Sequence, residues 1–299
     1  MYHNPVMLKE SVDGLNIQPN GIYVDVTFGG GGHSKAILDQ LEEGRLIAFD
    51  QDSDALSNAF DDSRFTLVHQ NFKYLKNFLR LHQASQIDGL IADLGVSSHQ
   101  FDIPERGFST RYNGELDARM DKRNEHTAAS LINTYSLNDL TRVFRLYGEL
   151  KNAYSIGKRI VETRSTTPIN TVDELKACLA SLAPRHKENK FFAQVFQALR
   201  IEVNEELDAL ESLLKQCVEV IKPGGRLVFL SYHSLEDRLV KNFIKAGNFE
   251  GKQEKDFYGN VQSPFKSLTR KPLVAGEDEI ETNSRARSAK LRIAIRTHE

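Results

Sequence analysis

The sequence predicts an α/β fold in which a doubly wound parallel sheet is interrupted by an all-helical segment. Hydrophobic strands alternate with helices over residues 22–93, and the same alternation returns after Glu202. Between Asp102 and Leu199 the strand pattern is nearly absent. We therefore expect one sheet domain formed by 1–103 and 202–299, and a helical insertion formed by 104–201.

The first part of the chain predicts four strands that are rich in β-branched and aromatic residues. These strands cover 22–28, 46–50, 65–69 and 87–93, and the helices between them cover 35–41, 52–60 and 72–82. The second and fourth strands each end in an aspartate, Asp50 and Asp93. Because ligands bind beyond the carboxyl ends of the strands in open α/β sheets, we expect the functional site at these ends.

The rest of the chain predicts mainly helices, followed by two more strands. Helices are predicted over 128–133, 137–147, 153–163 and 172–182, and a long amphipathic helix over 204–221. A Lys-Pro-Gly-Gly segment stops that helix, and strand 226–231, helix 235–246 and a final strand 289–296 follow. The two late strands complete the predicted sheet.

Four consecutive glycines, 29–32, follow the first strand and precede His33 and Ser34. Without side chains, a backbone can turn sharply and approach a ligand closely. A dinucleotide fingerprint, G-x-G-x-x-G, would require a third glycine where this chain has Ser34. An acid at the end of the second strand, here Asp50, is where such folds bind the two hydroxyls of a ribose. The segment therefore predicts a cofactor that contains a nucleoside.

Asp25, inside the first strand, favours one class of cofactor. An acid at this place suits a cofactor with a cationic amino-acid end and would repel a pyrophosphate. This favours S-adenosylmethionine over a nicotinamide dinucleotide. The alternative, that Asp25 only caps a turn, has about equal weight at this stage.

Two further residues at strand ends are candidates for the same site. Asp93 is expected near the reacting atoms, since the small residues that follow it leave room for a substrate base. Phe72 is expected against the adenine of the cofactor. The commoner role of an aromatic residue at such a place is simply packing in the core.

The composition is that of an ordinary soluble protein, with 40% hydrophobic and 27% charged residues. The N-terminus has no signal-peptide pattern, and no stretch is long and apolar enough to cross a bilayer. The two cysteines, Cys178 and Cys217, suggest no disulfide framework. We therefore expect a cytoplasmic protein that is not associated with a membrane.

The net charge of −2 leaves nucleic acid open as a partner, because binding depends on local basic patches. Three such patches occur: Lys158, Arg159 and Arg164; Arg185, His186, Lys187 and Lys190; and Arg285, Arg287, Lys290, Arg292 and Arg296. Each of them, taken alone, is more often ordinary surface charge. Other chemistry is disfavoured: no His/Cys/Asp cluster has metal-ligand spacing, and no G-x-S-x-G hydrolase motif occurs.

Eight ordered motifs spread over nearly the whole length match one family. They are His3-Asn-Pro-Val-Met-Leu8, Asp25-Val-Thr-Phe-Gly-Gly-Gly-Gly-His-Ser34, Asp93-Leu-Gly-Val-Ser-Ser-His-Gln-Phe-Asp102, Arg106-Gly-Phe-Ser109, Leu116-Asp-Ala-Arg-Met120, Phe196-Gln-Ala-Leu-Arg-Ile-Glu-Val-Asn204, His233-Ser-Leu-Glu-Asp237 and Arg285-Ala-Arg-Ser-Ala-Lys-Leu-Arg292. With them the chain resembles the bacterial RsmH (MraW) family, S-adenosylmethionine-dependent methyltransferases that act on cytosine N4 in small-subunit ribosomal RNA. Departures are Ala118, Tyr232 and Ser284, where the family usually has methionine, phenylalanine and proline.

The resemblance implies a cytoplasmic enzyme whose class I (Rossmann-like) methyltransferase sheet carries an inserted helical domain for RNA recognition. It implies the decoding region of the small ribosomal subunit as the target. By motif position, the cofactor contacts would be Gly31, Gly32, His33, Asp50, Phe72, Asp93 and Gln100, to which we add Asp25 from the argument above. The expected RNA contacts are Arg106, Phe108, Arg119, Arg200, Asn204, His233, Arg285 and Arg287, with Phe108 stacking on a base.

The expected chemistry places a cytosine amine in line with the methyl–sulfur bond. The N4 lone pair is delocalised into the ring, so a hydrogen-bond acceptor should help; Asp93, or a carbonyl just after it, is the candidate. A stacked base cannot reach such a pocket, so the target cytosine should be splayed out.

Three rival functions remain at this point. They are a nicotinamide-dependent oxidoreductase, an RNA-binding ribosome-assembly factor that transfers no methyl group, and a DNA amino-methyltransferase. The last is disfavoured because no (Asp/Asn/Ser)-Pro-Pro-(Tyr/Phe) tetrapeptide occurs. The sequence leaves the oligomeric state open, a homodimer included.

Overall fold

The computed structural model describes residues 5–259 and 261–297. The described chain forms two compact units, one drawn from the described residues within 1–95 and 207–299 and the other from Val96–Glu206. The helical unit thus begins at Val96 rather than at 104, and ends at Glu206 rather than at 201.

The first unit contains a seven-stranded sheet. Its strands are β1 (Ile22–Asp25), β2 (Arg45–Asp50), β3 (Phe65–His69), β4 (Ile87–Asp93), β5 (Ile221–Ser231), β6 (Phe265–Ser267) and β7 (Lys290–Arg296). The spatial order is β3-β2-β1-β4-β5-β7-β6. The first five strands of this order, β3, β2, β1, β4 and β5, are parallel to one another. Strand β7 is antiparallel to both β5 and β6. This is the class I methyltransferase sheet that the resemblance implies.

Both faces of this sheet are covered, because successive residues of a strand point to opposite sides. On β1, Val24 packs in one apolar cluster and Tyr23 in another. The helices of this unit are α1 (Leu8–Leu15), α2 (Gly32–Leu38), α3 (Leu75–Leu81), α10 (Glu206–Val220), α11 (Ser234–Ala246) and α12 (Glu277–Thr282). Helices α3, α10 and α11 contribute to the first cluster, and α1 and α2 to the second.

The second unit, all of whose residues are described, is helical apart from one isolated β-bridge between Glu115 and Thr171. It contains α4 (Ser98–Asp102), α5 (Ala128–Thr134), α6 (Leu137–Leu146), α7 (Ala153–Arg164), α8 (Val172–Leu179) and α9 (Glu188–Asn204). These helices enclose an apolar core of their own. None of the described helices combines the length and the apolarity that crossing a bilayer requires.

The predicted helix over 204–221 is wrong at its beginning. Helix α9 ends at Asn204, Glu205 takes a left-handed conformation with φ of 50°, and α10 begins at Glu206. The apolar periodicity runs across this break, and for that reason the sequence does not reveal it.

The predicted first strand is also too long, since β1 ends at Asp25 rather than at 28. The Asp25 carboxylate accepts a hydrogen bond from the Thr27 backbone N–H, which closes a local turn. The predicted helix over 52–60 is a shorter 3₁₀ helix, Ser53–Asn58. Helices α1, α4, α9 and α12 and strand β6 had no counterpart in the prediction.

Candidate active site

Asp25 closes the turn between β1 and the glycines. Only 2% of its surface is exposed, and its Oδ2 accepts a hydrogen bond from the Ser34 hydroxyl at 2.7 Å. Burial raises the pKa of Asp25, and the hydrogen bond from Ser34 and the charge of His33 partly oppose that shift. The structure therefore shows the capping role, while a cofactor contact of Asp25 remains a prediction.

The glycine segment takes backbone conformations that other residues rarely adopt. Gly29 and Gly31 have φ of 51° and 78°, in the left-handed region. A Cβ on Gly32 would lie 2.1 Å from the Pro5 side chain, so this position needs glycine for close packing. A Cβ on Gly29 would meet only the Thr27 carbonyl oxygen, at 3.9 Å. The turn is therefore tightly packed at Gly32, against Pro5, and open at Gly29, where a ligand can approach.

Asp50 lies at the carboxyl end of β2, next to this open side. Its two carboxylate oxygens accept hydrogen bonds from the backbone N–H groups of Gly29 (2.7 Å) and Asp52 (2.8 Å). Burial raises the pKa of Asp50 to about 6, although these two bonds lower it. Since each carboxylate oxygen accepts more than one hydrogen bond, both keep capacity for ribose hydroxyls.

Asp93 lies at the carboxyl end of β4, with 26% of its side chain exposed. Its Oδ1 accepts a hydrogen bond from the Tyr232 hydroxyl at 2.6 Å, and its Oδ2 is 3.8 Å from Nδ1 of His33. Its backbone N–H donates to the Thr27 hydroxyl at 2.7 Å. Burial raises the pKa of Asp93, whereas His33 and the Tyr232 hydrogen bond lower it.

His33 is fixed from both sides within α2. Nε2 lies 3.1 Å from the Val6 carbonyl oxygen, and Nδ1 faces Asp93. The side chain is almost wholly buried. The imidazole therefore lies beside the Asp93 carboxylate in a defined orientation. A contact of His33 with the cofactor remains a prediction.

Together, Asp25, Asp50 and Asp93 concentrate negative charge at the carboxyl ends of three adjacent strands, β1, β2 and β4. The charge of Asp25 raises the pKa of both other carboxyls, after the larger effect of burial. A cationic ligand would relieve this repulsion. The positively charged sulfur and amine of S-adenosylmethionine, with its ribose, fit this set of acceptors and the open side of the glycine turn.

Two other predicted cofactor contacts have structural roles within their own units. Phe72 follows β3 and packs, half-buried, against the apolar cluster that contains Val24, as the core interpretation expected. Gln100 belongs to the helical unit, where it forms a capping box with Ser97 at the start of α4. Contacts of Phe72 and Gln100 with the cofactor remain predictions.

The prediction that Phe108 stacks on an RNA base is not supported. Only 5% of Phe108 is exposed, and its ring packs in the core of the helical unit. Arg106 is also buried there, with its guanidinium donating to the carbonyl oxygen of Arg119 and lying 5.7 Å from the Phe108 ring centroid. The motif therefore stabilises the helical unit from inside.

The polar side chains predicted near it are also engaged within the helical unit. Arg119 forms a bidentate ion pair with Asp117, and Arg200 forms one with Glu206. Asn204 accepts from the Met120 N–H at 2.7 Å and donates to the Ala118 carbonyl at 2.8 Å. RNA contacts of these residues remain predictions, and any such contact would compete with these bonds.

Two predicted RNA contacts of the sheet unit, His233 and Arg287, line one pocket of about 280 Å³. His233 caps the N-terminus of α11, with Nε2 3.1 Å from Oε1 of Glu236, whereas the exposed Arg287 faces solvent. The remaining lining residues are Tyr232, Ser234, Val274, Ser288, Ala289 and Lys290. Arg285, also predicted, does not line this pocket.

Four residues of this site were not singled out from the sequence for the part they play: Thr27, Ser34, Tyr232 and Glu236. Tyr232 was visible only as a departure from the family pattern. Its contact joins residues 139 positions apart, and no local pattern shows such a pair.

Comparison with known proteins identifies the family. The sequence model of the MraW methylase family matches residues 1–297. The chain belongs to this family. Membership confirms the resemblance that the motifs carry, including the cofactor, S-adenosylmethionine. His3 and Asn4 of the first motif lie outside the described residues.

Curated relatives within the MraW family are similar over almost their full length. Proteins named ribosomal RNA small subunit methyltransferase H are 58% identical in Flavobacterium johnsoniae and 57% in Cytophaga hutchinsonii. The alignments cover 98% and 99% of this chain, and 97% and 100% of the relatives. A solved Streptococcus mutans methyltransferase in complex with SAH shares 14% identity, with 99% of each chain covered, at a TM-score of 0.44.

Proposed function

We propose that this protein transfers a methyl group from S-adenosylmethionine to the N4 amine of a cytidine in the decoding region of small-subunit ribosomal RNA. Its relatives are named for methylation of small-subunit ribosomal RNA, which supports the substrate class. A ribosomal substrate would place the activity in the cytoplasm.

The observation that carries the proposal is the cluster of three carboxylates beside the glycine turn. Asp50 would accept hydrogen bonds from the ribose hydroxyls, and Asp25 and Asp93 would offset positive charge on the cofactor. When bound, the cofactor supplies a methyl group on a cationic sulfur, which becomes a neutral leaving group.

Asp93 is the residue that we assign to the amine. One of its oxygens is held by Tyr232, and Oδ2 points towards His33 at a distance longer than a hydrogen bond. This oxygen can accept an N–H of the target amine, which draws the nitrogen lone pair out of the ring and holds it for in-line attack. Asp93 can also take the proton that the amine loses as the N–C bond forms.

The pocket beside Tyr232 gives room for an extruded nucleotide. Its volume of about 280 Å³ is close to the smaller ligand sites of proteins. Arg287 and Lys290 at its wall suit a phosphate, although Lys290 also contacts Asp237 at 3.4 Å. We assign further RNA recognition to the helical unit, Val96–Glu206.

The test is methyl transfer from labelled S-adenosylmethionine to small ribosomal subunits that lack this modification, followed by mass mapping of the labelled nucleotide. We expect the label on N4 of one cytidine in the decoding region. Label on another atom or region would contradict the proposed acceptor. No label on subunits or naked ribosomal RNA, despite calorimetric binding of the cofactor, would contradict the proposed activity.

A further inference from the structure

Tyr232 stands directly after β5 and contacts Asp93, the last residue of the neighbouring strand β4. Its hydroxyl donates to Oδ1 of Asp93 at 2.6 Å, and its backbone N–H donates to Oε2 of Glu236 at 3.0 Å. Its ring packs, partly buried, against the apolar cluster that contains Tyr23. Tyr232 is therefore held by packing of its ring, by the hydrogen bond of its hydroxyl and by the hydrogen bond of its backbone N–H.

Because of this contact, the two carboxylate oxygens of Asp93 have different hydrogen-bonding environments. Oδ1 accepts a hydrogen bond from Tyr232, whereas Oδ2 lies 3.8 Å from Nδ1 of His33, farther than a hydrogen bond. A carboxylate with one oxygen pinned cannot rotate freely about its Cβ–Cγ bond. The lone pairs of Oδ2 therefore point in a fixed direction, in which they can accept a hydrogen bond.

The same tyrosine also forms part of the pocket wall with His233 and Arg287. Tyr232 is therefore shared between this pocket and Asp93, which is not itself among the lining residues. No other described residue both lines the pocket and hydrogen-bonds the Asp93 side chain.

We propose that Tyr232 is a positioning residue, which fixes the Asp93 carboxylate so that Oδ2 alone receives the amine of the target base. The inference rests on the proposed function, because it gives Asp93 the amine as its partner. It goes further in assigning a role to a hydroxyl that the phenylalanine usual in the family could not supply.

The hydroxyl also favours the ionised form of Asp93. Burial and the Asp93 charge raise the pKa of Tyr232 well above its ordinary value, so it remains a donor over the working pH range. The other titratable groups that act on this pair are Asp25, His33, Glu236 and Glu279. Of these, only His33 favours the Asp93 carboxylate, so loss of the hydroxyl should leave Asp93 easier to protonate.

The test compares Tyr232→Phe with wild type in methyl transfer to small subunits across pH. We expect kcat to fall by about 10-fold, the loss of one hydrogen bond to a charged group, with the KM for the cofactor unchanged. The acid limb of the kcat profile should move to higher pH. Tyr23→Phe is the matched control: it removes a hydroxyl that accepts from the Gln18 N–H at 2.7 Å, and it should leave both readouts unchanged.

A second measurement separates this inference from the proposed function. Carbon-13 NMR titration of the Asp93 carboxyl in cofactor-free protein, assigned with Asp93→Asn, needs no methyl transfer. A higher pKa of Asp93 in Tyr232→Phe supports the positioning role, whichever nucleotide is methylated. An unchanged Asp93 titration, or a wild-type kcat and pH profile in Tyr232→Phe, overturns it.

Discussion

Asp50 is the residue whose protonation we expect to limit cofactor binding. Its pKa is raised to about 6, and only the carboxylate offers all its lone pairs to ribose hydroxyls. Because the ionised form binds, affinity should be full above about pH 6 and should fall as the pH drops through that value. Calorimetric titration with S-adenosylmethionine between pH 5 and 8 measures this.

The variant Asp50→Ala should weaken cofactor binding by about 1.5–3 kcal/mol at pH 8, the range for hydrogen bonds to charged groups. It should also lose the dependence on pH near 6. Asp39→Asn, which changes an exposed acid just after α2, is the control and should bind as wild type does. Wild-type affinity in Asp50→Ala would remove Asp50 from the site.

Asp93→Asn should lower kcat on the order of 10²-fold and change cofactor affinity much less, since its carboxylate is assigned to the amine. Single-turnover methylation and calorimetry measure the two effects separately. Asp88→Asn, at the opposite end of the same strand, tests whether any acid-to-amide change on β4 gives this result. Equal losses in kcat and affinity would instead show that Asp93 acts on the cofactor alone and not on the amine.

For single residues, the sequence predicts where the acidic side chains of the site lie better than it predicts which groups each side chain contacts. Asp50 and Asp93 could be placed because each ends a strand pattern, and Asp25 because it lies within one, just before the glycines. The position of Phe108 could not be predicted, because an aromatic residue near polar residues gives the same local sequence pattern whether it faces RNA or a helical core. Burial of that kind depends on residues far away in the chain.

Among the elements, helix α3 ends in a conformation that glycine would favour. Gln83 is exposed, has φ of 54°, and precedes the Ala84 N–H that bonds the Leu79 carbonyl at 2.8 Å. Gln83→Gly should raise the free energy of unfolding by about 0.5–1 kcal/mol, because glycine adopts this region without steric cost. Urea denaturation measures the change.

The matched control is Lys241→Gly, at an exposed position inside α11. The same type of substitution there should lower the free energy of unfolding by about 1 kcal/mol. Opposite signs for the two variants are expected. A loss of stability in Gln83→Gly would show that the left-handed conformation at this residue carries no strain.

Element boundaries depend on contacts that periodicity does not contain. Strands β3 and β4 were predicted to the residue, since each is rich in apolar residues and lies between polar segments, although most of β3 is only partly buried. The end of β1 was missed because a side-chain bond within Asp25–Thr27 bends the chain. The break at Glu205 was missed because apolar spacing continues on both sides of it.

For the whole molecule, the proposed ribosomal partner implies binding that weakens with salt. Arg185, His186, Lys187 and Lys190 are all exposed on the helical unit, whereas Arg292 of the C-terminal patch is paired with Asp237. The double variant Lys187→Glu with Lys190→Glu should raise the KM for small subunits about 10-fold and reduce the salt slope by roughly 1–2. Cofactor affinity should not change.

Lys215→Glu with Lys245→Glu gives the same change in net charge on α10 and α11 of the sheet unit. Kinetics at several salt concentrations, with subunits as substrate, compare the two pairs. If both raise KM equally, net charge rather than the helical patch governs the encounter. The sequence located this patch but not its exposure, because exposure depends on how α8 and α9 pack.

The place of β7 in the sheet has a consequence for biosynthesis. The seventh strand along the described chain, Lys290–Arg296, lies between β5 and β6 rather than at an edge. The helical unit comes from one continuous stretch, so its core can form while later residues are still being made. The sheet instead stays open, with β5 unpaired on one side, until Lys290–Arg296 has been made. A nascent chain stalled before Lys290 would therefore expose that strand to chaperones and to aggregation.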